Sequence, residues 1–551
     1  MDVPAGLVQK GGRRDNSRVT RRLLYLLPST ICLLTSGAAA QRPGVDVQAY
    51  HFRIDLPDTG AVIRGWASVF FRPTRAWDDT LRLDLVGMTV ERVYDLETLQ
   101  RVRFSYDGAV LRVHAPRPGA RGGVMVQYRG RPQDGLIFGA TVRGRRAVFA
   151  DNYPQRARYW LPVVDHPSDR ARVLWSVRAP GGWQVVTNAP RRCNGPIARD
   201  PLCLESQPLP TYLMVLGATR MTVSRHRPLV SGADTVPIEV WAYPEDSAYA
   251  DRGPFLRATE IAEVLQDLVG TFPYARLAHV QSRTRYGGME NASAIFYAEA
   301  GWAARRMGEG VVRHETAHQW FGDAVTPRTF QHVWLSEGFA SYFDAVAGAR
   351  LDGDSVLARI MARNRESWLR SAARERPMVD SVEPDPEAVL DANDYQKGAW
   401  VLHMLRREMG DSTFFRGVRE YYRRYRDSSV TSEQFQQVME QAAGARLGWF
   451  FDPWLRQPGH PALDIRWEQQ AGSMLQLFVR QAQPAAWGRF TVPQVPVRIV
   501  LAGGQALERS FRLEARYASQ VAGFTLPVGA EVREVVVDPD GVLLLSAEVH
   551  R

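Results

Sequence analysis

Lysine is nearly missing from this chain. Of its 69 basic residues, 67 are arginine, and only Lys10 and Lys397 are lysine. The skew reflects genome composition, and no Lys/Arg tract with interleaved aromatic residues forms the electrostatic footprint of a nucleic-acid partner. Residues 1–40 carry +4 of the net charge of +10, leaving a modest +6 on the remainder. Cysteine is equally scarce. Cys32, Cys193 and Cys203 are too few for a disulfide-built scaffold and lack the spacing of a cysteine metal site. Beyond the N-terminus no apolar run is long enough to span a bilayer. Internal repeats and low-complexity tracts are also lacking, which excludes a solenoid. What remains, 45% hydrophobic and 23% charged over 551 residues, is ordinary globular protein in more than one domain.

The first 40 residues read as a targeting segment. Arg18, Arg21 and Arg22 precede the apolar stretch Leu23–Leu27, the apolar run resumes at Ile31–Leu34, and Ala38-Ala39-Ala40 offers a small-residue cleavage site. That order is a secretory signal peptide, with cleavage expected before Gln41. Thr20–Leu24 also suits twin-arginine export, and an uncleaved N-terminal anchor is the alternative. The expected product is an exported bacterial protein, periplasmic or extracellular, with no stable membrane span after signal cleavage. In an oxidising compartment Cys193 and Cys203 can form a local disulfide, two inert thiols being the other reading. Lys397 is then the one lysine left, which suggests that its position calls for an ammonium rather than a guanidinium.

Periodicity divides the rest in three. Residues 41–235 alternate with period two, as in Leu81–Leu85 and Val124–Tyr128, and are expected to form an N-terminal antiparallel β domain. Helical spacing begins near Pro254, with Ile261, Val264, Leu265 and Leu268 on one face, and continues to about Leu455, so 236–456 should be mainly helical. Alternation returns in Leu475–Val479 and Val497–Leu501, with Asp538–Gly541 as a hairpin turn, and 457–551 reads as a C-terminal β-sandwich. The expected fold class is multidomain α+β.

The middle third contains His314-Glu315-Thr316-Ala317-His318, followed by Glu337 in Trp334–Ala340. On a helix, positions i and i+4 share a face, so both imidazoles can grip one ion while Glu315, one step round, stays off it. Gly310–Phe321 carries Val311, Val312, Ala317, Trp320 and Phe321 without interior glycine or proline, as a buried helix should, and the helix is expected to run on until Pro327. A second helical stretch, Val333–Ala347, would bring Glu337 back to the same ion as an antiparallel neighbour. Two imidazoles and a carboxylate form the donor set of a catalytic Zn²⁺, one per chain, with Glu315 as general base.

Tyr286-Gly287-Gly288-Met289-Glu290-Asn291 lies shortly before this motif. It resembles the Gly-x-Met-Glu-Asn segment of the gluzincin aminopeptidases, the family of aminopeptidase N and the leukotriene-hydrolase enzymes. Tyr395-Gln396-Lys397-Gly398-Ala399 is similar to that family's Tyr-x-Lys-Gly-Ala stretch. Weaker likenesses cover Arg158–Pro167 and Phe451–Pro461, so the resemblance extends from about residue 45 to the C-terminus. It implies a thermolysin-like catalytic domain over 236–456, in a short form without the large C-terminal helical domain of many relatives. It also implies site roles. Glu290, with Gly287, Gly288, Met289 and Asn291 around it, would bind the substrate's α-ammonium; Tyr395 would stabilise the oxyanion; and Gln155 is the nearest candidate for a family glutamine at the substrate's N-terminus.

The expected activity is that of a zinc metallo-aminopeptidase acting on peptides with free N-termini through a zinc-activated water. Alternatives are another zinc hydrolase, an endopeptidase or epoxide hydrolase, and an inactive secreted binding module on a peptidase fold. The preferred N-terminal residue and the oligomeric state are not encoded in any motif.

Overall fold

The computed structural model describes residues 44–115, 122–188, 206–380, 390–470 and 473–551, together with Val382, Asp385, Pro386 and Ala388. The expected signal peptide, its cleavage point and the Cys193–Cys203 pair lie outside the described residues.

Alternation does produce strands at the N-terminal end. In Val45–Asp55 the buried side chains are first Val45 and Val47, then Tyr50, Phe52 and Ile54. The phase slips because a bulge between Val47 and Ala49 inserts one residue against the partner strand Ile63–Pro73. These strands belong to a six-stranded sheet in the order Leu209–Pro210, Arg170–Arg178, Val45–Asp55, Ile63–Pro73, Gly122–Gly130, Thr89–Asp95. The region is not wholly antiparallel as expected. Val45–Asp55 and Arg170–Arg178 run parallel, a pairing between strands far apart in sequence that local alternation cannot reveal. A four-stranded sheet, Gln184–Thr187, Leu216–Thr219, Arg146–Ala150, Leu136–Ala140, leads towards the middle of the chain.

The middle region holds a sheet as well as helices. Its five strands are ordered Thr222–Arg225, Ile238–Ala242, Leu277–Ser282, Ala294–Ala298 and, at the edge, Gly288–Met289. The sheet thus takes strands from both sides of residue 235. All six residues of Leu277–Ser282 are buried, and a short fully buried run carries no period to separate strand from helix. Around this sheet lie helices Ala258–Val269, Glu309–His318, Trp334–Asp352, Ser355–Arg370, Gly398–Met409, Asp411–Tyr425, Ser432–Ala443 and Gly448–Arg456. Trp334–Asp352 is the central one, with 14 of its 19 residues buried. Glu309–His318 ends well before Pro327. Gly322, at φ 116°, turns the chain into the strand Val325–Pro327, which pairs with Ser428–Val430.

The C-terminal strands form a four-stranded sheet (Ser519–Thr525, Met474–Gln481, Ala462–Gln470, Ser546–His550) and a three-stranded one (Ala506–Leu513, Val492–Leu501, Val532–Val537). Asp538–Gly541 is a turn, with Gly541 N–H donating to Asp538 O at 3.0 Å, but not a hairpin. Its flanking strands belong to different sheets. The Asp538 carboxylate accepts from the backbone of Val542 and Leu543 and directs the buried Leu543-Leu544-Leu545 inward instead of back along its own strand. No helix among the described residues is long and apolar enough to cross a membrane.

Candidate active site

The antiparallel return of helix Trp334–Asp352 brings Glu337 against the two histidines of helix Glu309–His318. His314 Nε2 and His318 Nε2 are 3.1 Å apart, and Glu337 Oε2 lies 3.3 Å from each. His318 is oriented from behind. Its Nδ1–H donates to Phe321 O at 3.0 Å, with Ser336 Oγ also at 3.0 Å, which turns Nε2 towards Glu337.

The donor set fits a zinc ion. Four donors at zinc's usual bond lengths in a tetrahedron are separated by about 3.3 Å, close to the triangle observed. Glu337 Oε2 is buried and accepts no hydrogen bond among the described residues, so a cation would satisfy an otherwise stranded carboxylate oxygen. A second group, Glu290, Glu315 and His318, also clusters, but it lacks the imidazole pair and shares His318 with the first.

A cavity of 590 Å³ opens over the triangle, lined by its three residues together with Glu315 and Tyr395. Glu315 is buried, and burial pushes its carboxyl well above the usual range, against a smaller opposing effect of His318. Glu337 goes the other way. Burial would raise its carboxyl, but the charge of His318 beside it takes it down to about 2.

The edge strand Gly288–Met289 and Glu290 line the same cavity, with Glu290 close to Glu315 and His318. This strand pairs antiparallel with Ala294–Ala298, Gly288 against Tyr297 and Met289 against Phe296. Gln319, one residue past the second histidine, fastens the segment that follows. Its Nε2–H donates to Glu290 O and its Oε1 accepts from Ser293 N–H, both at 2.8 Å. The segment before it is held by Arg285 N–H donating to Asp151 Oδ2 at 3.1 Å and by Arg156 Nη2–H donating to Tyr286 Oη at 3.3 Å. Glu290 is buried, and burial raises its carboxyl to about 7, with His318 pulling it back in part.

Tyr395 reaches the cavity from a π-helical turn, Asn393–Lys397, set just before helix Gly398–Met409. Gly338 and Gly398 let this turn approach the central helix: a Cβ on Gly338 would lie 2.8 Å from Gly398 Cα. The Tyr395 ring then stacks on His314, with centroids 6.0 Å apart and planes 14° from parallel. Burial keeps its phenol well above its ordinary pKa, so it stays a hydrogen-bond donor.

The structure therefore gathers His314, His318, Glu337, Glu315, Tyr395, Gly287, Gly288, Met289 and Glu290 around one cavity. Asn291 is buried behind it and does not line it. Gln155 does not line it either; its Nε2–H donates to Asp165 O at 3.1 Å. Its neighbour Tyr153 faces the cavity instead. Sequence reasoning missed Tyr153, Gln319 and Ser336. Gln319 directly follows His318 and Ser336 directly precedes Glu337, and those adjacencies were the local signals; the ring neighbours of Tyr153, which are Tyr212, Tyr286 and Phe330, are distant in sequence.

Residues 258–454 match the family model described as Peptidase family M1 domain. The chain is 24% identical over 524 residues to a protein of Sulfurisphaera tokodaii named "Probable aminopeptidase 2", covering 90% of this chain and 63% of that one. It is 25% identical over 426 residues to "Leucyl aminopeptidase" of Saccharolobus solfataricus, covering 70% and 51% respectively. The chain thus spans less than two thirds of the length of these relatives. Among solved structures, an M1 zinc metallopeptidase from Deinococcus radiodurans shares the fold, with a TM-score of 0.63, 24% identity, and coverage of 76% of this chain and 95% of that one.

Proposed function

We propose that this chain, which carries a Peptidase family M1 domain over residues 258–454, is a zinc aminopeptidase that releases the N-terminal residue of peptides with a free amine. The observation that carries this reading is the triangle of His314, His318 and Glu337 nitrogen and oxygen donors, 3.1–3.3 Å apart, with Glu290 in the same cavity. The names of the relatives point the same way.

Held by those three residues, Zn²⁺ supplies Lewis acidity and a lowered pKa for a water ligand. The chain's own groups do the rest. Glu315 takes the proton of the attacking water and delivers it to the departing amine. Tyr395 donates its phenolic hydrogen to the carbonyl oxygen as negative charge develops there. The edge strand Gly288–Met289 leaves one side free to take the substrate's backbone as an added strand. Glu290 pairs with the α-ammonium in a charge-assisted hydrogen bond and so fixes the register at one residue per turnover.

Glu290 also favours this reading over an endopeptidase, since a chain continuing past the first residue would place a neutral amide against a buried carboxylate. The test is zinc analysis of the purified protein followed by assay on aminoacyl-4-nitroanilides with free and N-acetylated amines. The expected result is one zinc per chain and cleavage of the free-amine substrates alone. Equal cleavage of both sets would make it an endopeptidase, and bound zinc with no turnover would leave a binding module. Export through residues 1–40 belongs to the same proposal and predicts a mature N-terminus at Gln41, read by N-terminal sequencing of the secreted protein.

A further inference from the structure

Glu290 stands at a set distance from the donor triangle: one oxygen of its carboxylate, one of Glu315 and a ring nitrogen of His318 all lie within 4.8 Å of one another. The backbone that carries it is not relaxed. Asn291 O accepts from Ala294 N–H at 3.0 Å, closing a four-residue turn whose third residue, Ser293, sits at φ 65°. That left-handed region favours glycine, and a serine stays there only where its surroundings hold it.

Two buried amides do the holding. Gln319 Nε2 donates one hydrogen to Glu290 O and the other to Asp323 Oδ2, and its Oε1 accepts from Ser293 N–H, all at 2.8 Å. Turning this amide over would set its oxygen against two acceptors, so it has one orientation. Asn188 directly follows strand Gln184–Thr187 of the N-terminal β region and grips the turn from the other side. Its Nδ2 donates to Ala292 O at 2.9 Å and to Leu213 O at 2.8 Å, and its Oδ1 accepts from Val215 N–H at 2.7 Å. Its own carbonyl accepts from the Ser293 hydroxyl at 2.7 Å. Every donor hydrogen of both amides is engaged.

We propose that Gln319 and Asn188 are positioning residues: together they hold the left-handed turn 291–294 and thereby fix how far the Glu290 carboxylate stands from the metal donors. Gln319 works as a ruler. It is joined through the chain to His318 and through a hydrogen bond to the carbonyl of Glu290 itself, so metal ligand and carboxylate share one short rigid link. Asn188 ties the same turn to the β region. Neither amide lines the cavity, so their effect on a substrate passes through Glu290. This rests on the aminopeptidase reading and deepens it, by naming what keeps the register at one residue.

The test uses the zinc-loaded enzyme and two competitive inhibitors, leucine hydroxamate and its des-amino analogue, which share the metal-binding group and differ only in the amine. Wild type should bind the amine-bearing inhibitor more tightly. In Gln319→Met, which keeps the length without the hydrogen bonds, and separately in Asn188→Ala, that advantage should shrink about tenfold. The des-amino constant and the zinc content should stay as in wild type, which also shows that the variant has folded, and KM on aminoacyl anilides should rise more than kcat falls. Asn188→Ala carries the test alone if Gln319→Met does not fold. Ser293→Gly makes φ 65° easy to adopt, so in the Asn188→Ala background it should recover part of the lost advantage. Equal weakening of both inhibitors would make the amides general supports of the fold, an unchanged ratio would mean that Glu290 is held without them, and no recovery by glycine would mean that the turn is not what they hold; each result overturns the proposal. Failure of the underlying reading is separately visible, because wild type would then show no preference for the amine and no turnover of aminoacyl anilides.

Discussion

A methyl group on Gly288 would lie 2.1 Å from Glu315 Oε1 and 2.3 Å from its Cδ. The edge strand and the carboxylate are thus fitted to each other with no room for a side chain between them. Glu315 is buried and cannot retreat into solvent, so Gly288→Ala must displace the carboxylate, the strand, or both. A shift of about 1 Å in a reacting group can cost on the order of 100-fold in rate. Gly288→Ala is therefore expected to lose about that much in kcat while keeping its zinc, since Glu315 stands outside the donor triangle. Metal content and kcat measured on one preparation check this, and wild-type turnover would mean that Glu315 does not act from where it lies.

Glu315→Gln removes the proton acceptor and keeps the shape. The expected outcome is a fall in kcat of about 100-fold or more with the zinc stoichiometry of wild type. His318→Ala makes the contrast, because it takes a nitrogen out of the 3.1–3.3 Å triangle and should lose the metal along with the activity. If Glu315→Gln shed zinc as readily as His318→Ala, the carboxylate would belong among the ligands.

Tyr395→Phe tests the oxyanion role without disturbing the packing. The ring that stacks on His314 at 6.0 Å is retained, and only the hydroxyl goes. One such donor is typically worth about 100-fold in kcat, so that loss is expected with KM little changed. Unaltered kinetics would return Tyr395 to the status of a core aromatic residue that happens to border the cavity.

How far these residues could be read in advance depended on the range of the interaction. His314, Glu315 and His318 follow from one helical turn, and Glu337 from the reversal between two helices; these are local periodicities that sequence displays directly. Gln319 and Ser336 escaped because what they hold, the Glu290–Ser293 backbone and the His318 ring, is distant in sequence. Gln155 was named because the resemblance calls for a glutamine and it is the nearest one; Tyr153, two positions away in Asp151-Asn152-Tyr153-Pro154, carries no signal of its own. Fold class was legible in the alternating segments. The sheet that carries Gly288–Met289 was not, since the fully buried Leu277–Ser282 shows no alternation.

The solitary lysine has a physical explanation that yields a pH prediction. Lys397 is 0% exposed; its Nζ lies 3.3 Å from Gln457 O and 5.6 Å from the centre of the Trp368 ring. Burial pushes its ammonium down from 10.5 to about 7, with only partial relief from the charge of Asp391. An arginine would stay charged at any pH the fold survives, whereas a lysine can give up its proton and remain buried. Between about pH 7 and 10.5 the unfolded chain holds a proton that the folded chain has released, so stability rises with pH, by at most about 1.4 kcal/mol per unit. Below that window both states are protonated and the slope vanishes. Lys397→Met has no proton to exchange. The Tm of zinc-saturated wild type, measured against that of Lys397→Met, should therefore climb from pH 7 to pH 9, while Lys397→Arg should be destabilised at every pH. A difference between wild type and Lys397→Met that does not change with pH would mean that the ammonium stays charged in the folded protein, stabilised by more than the single carbonyl of Gln457.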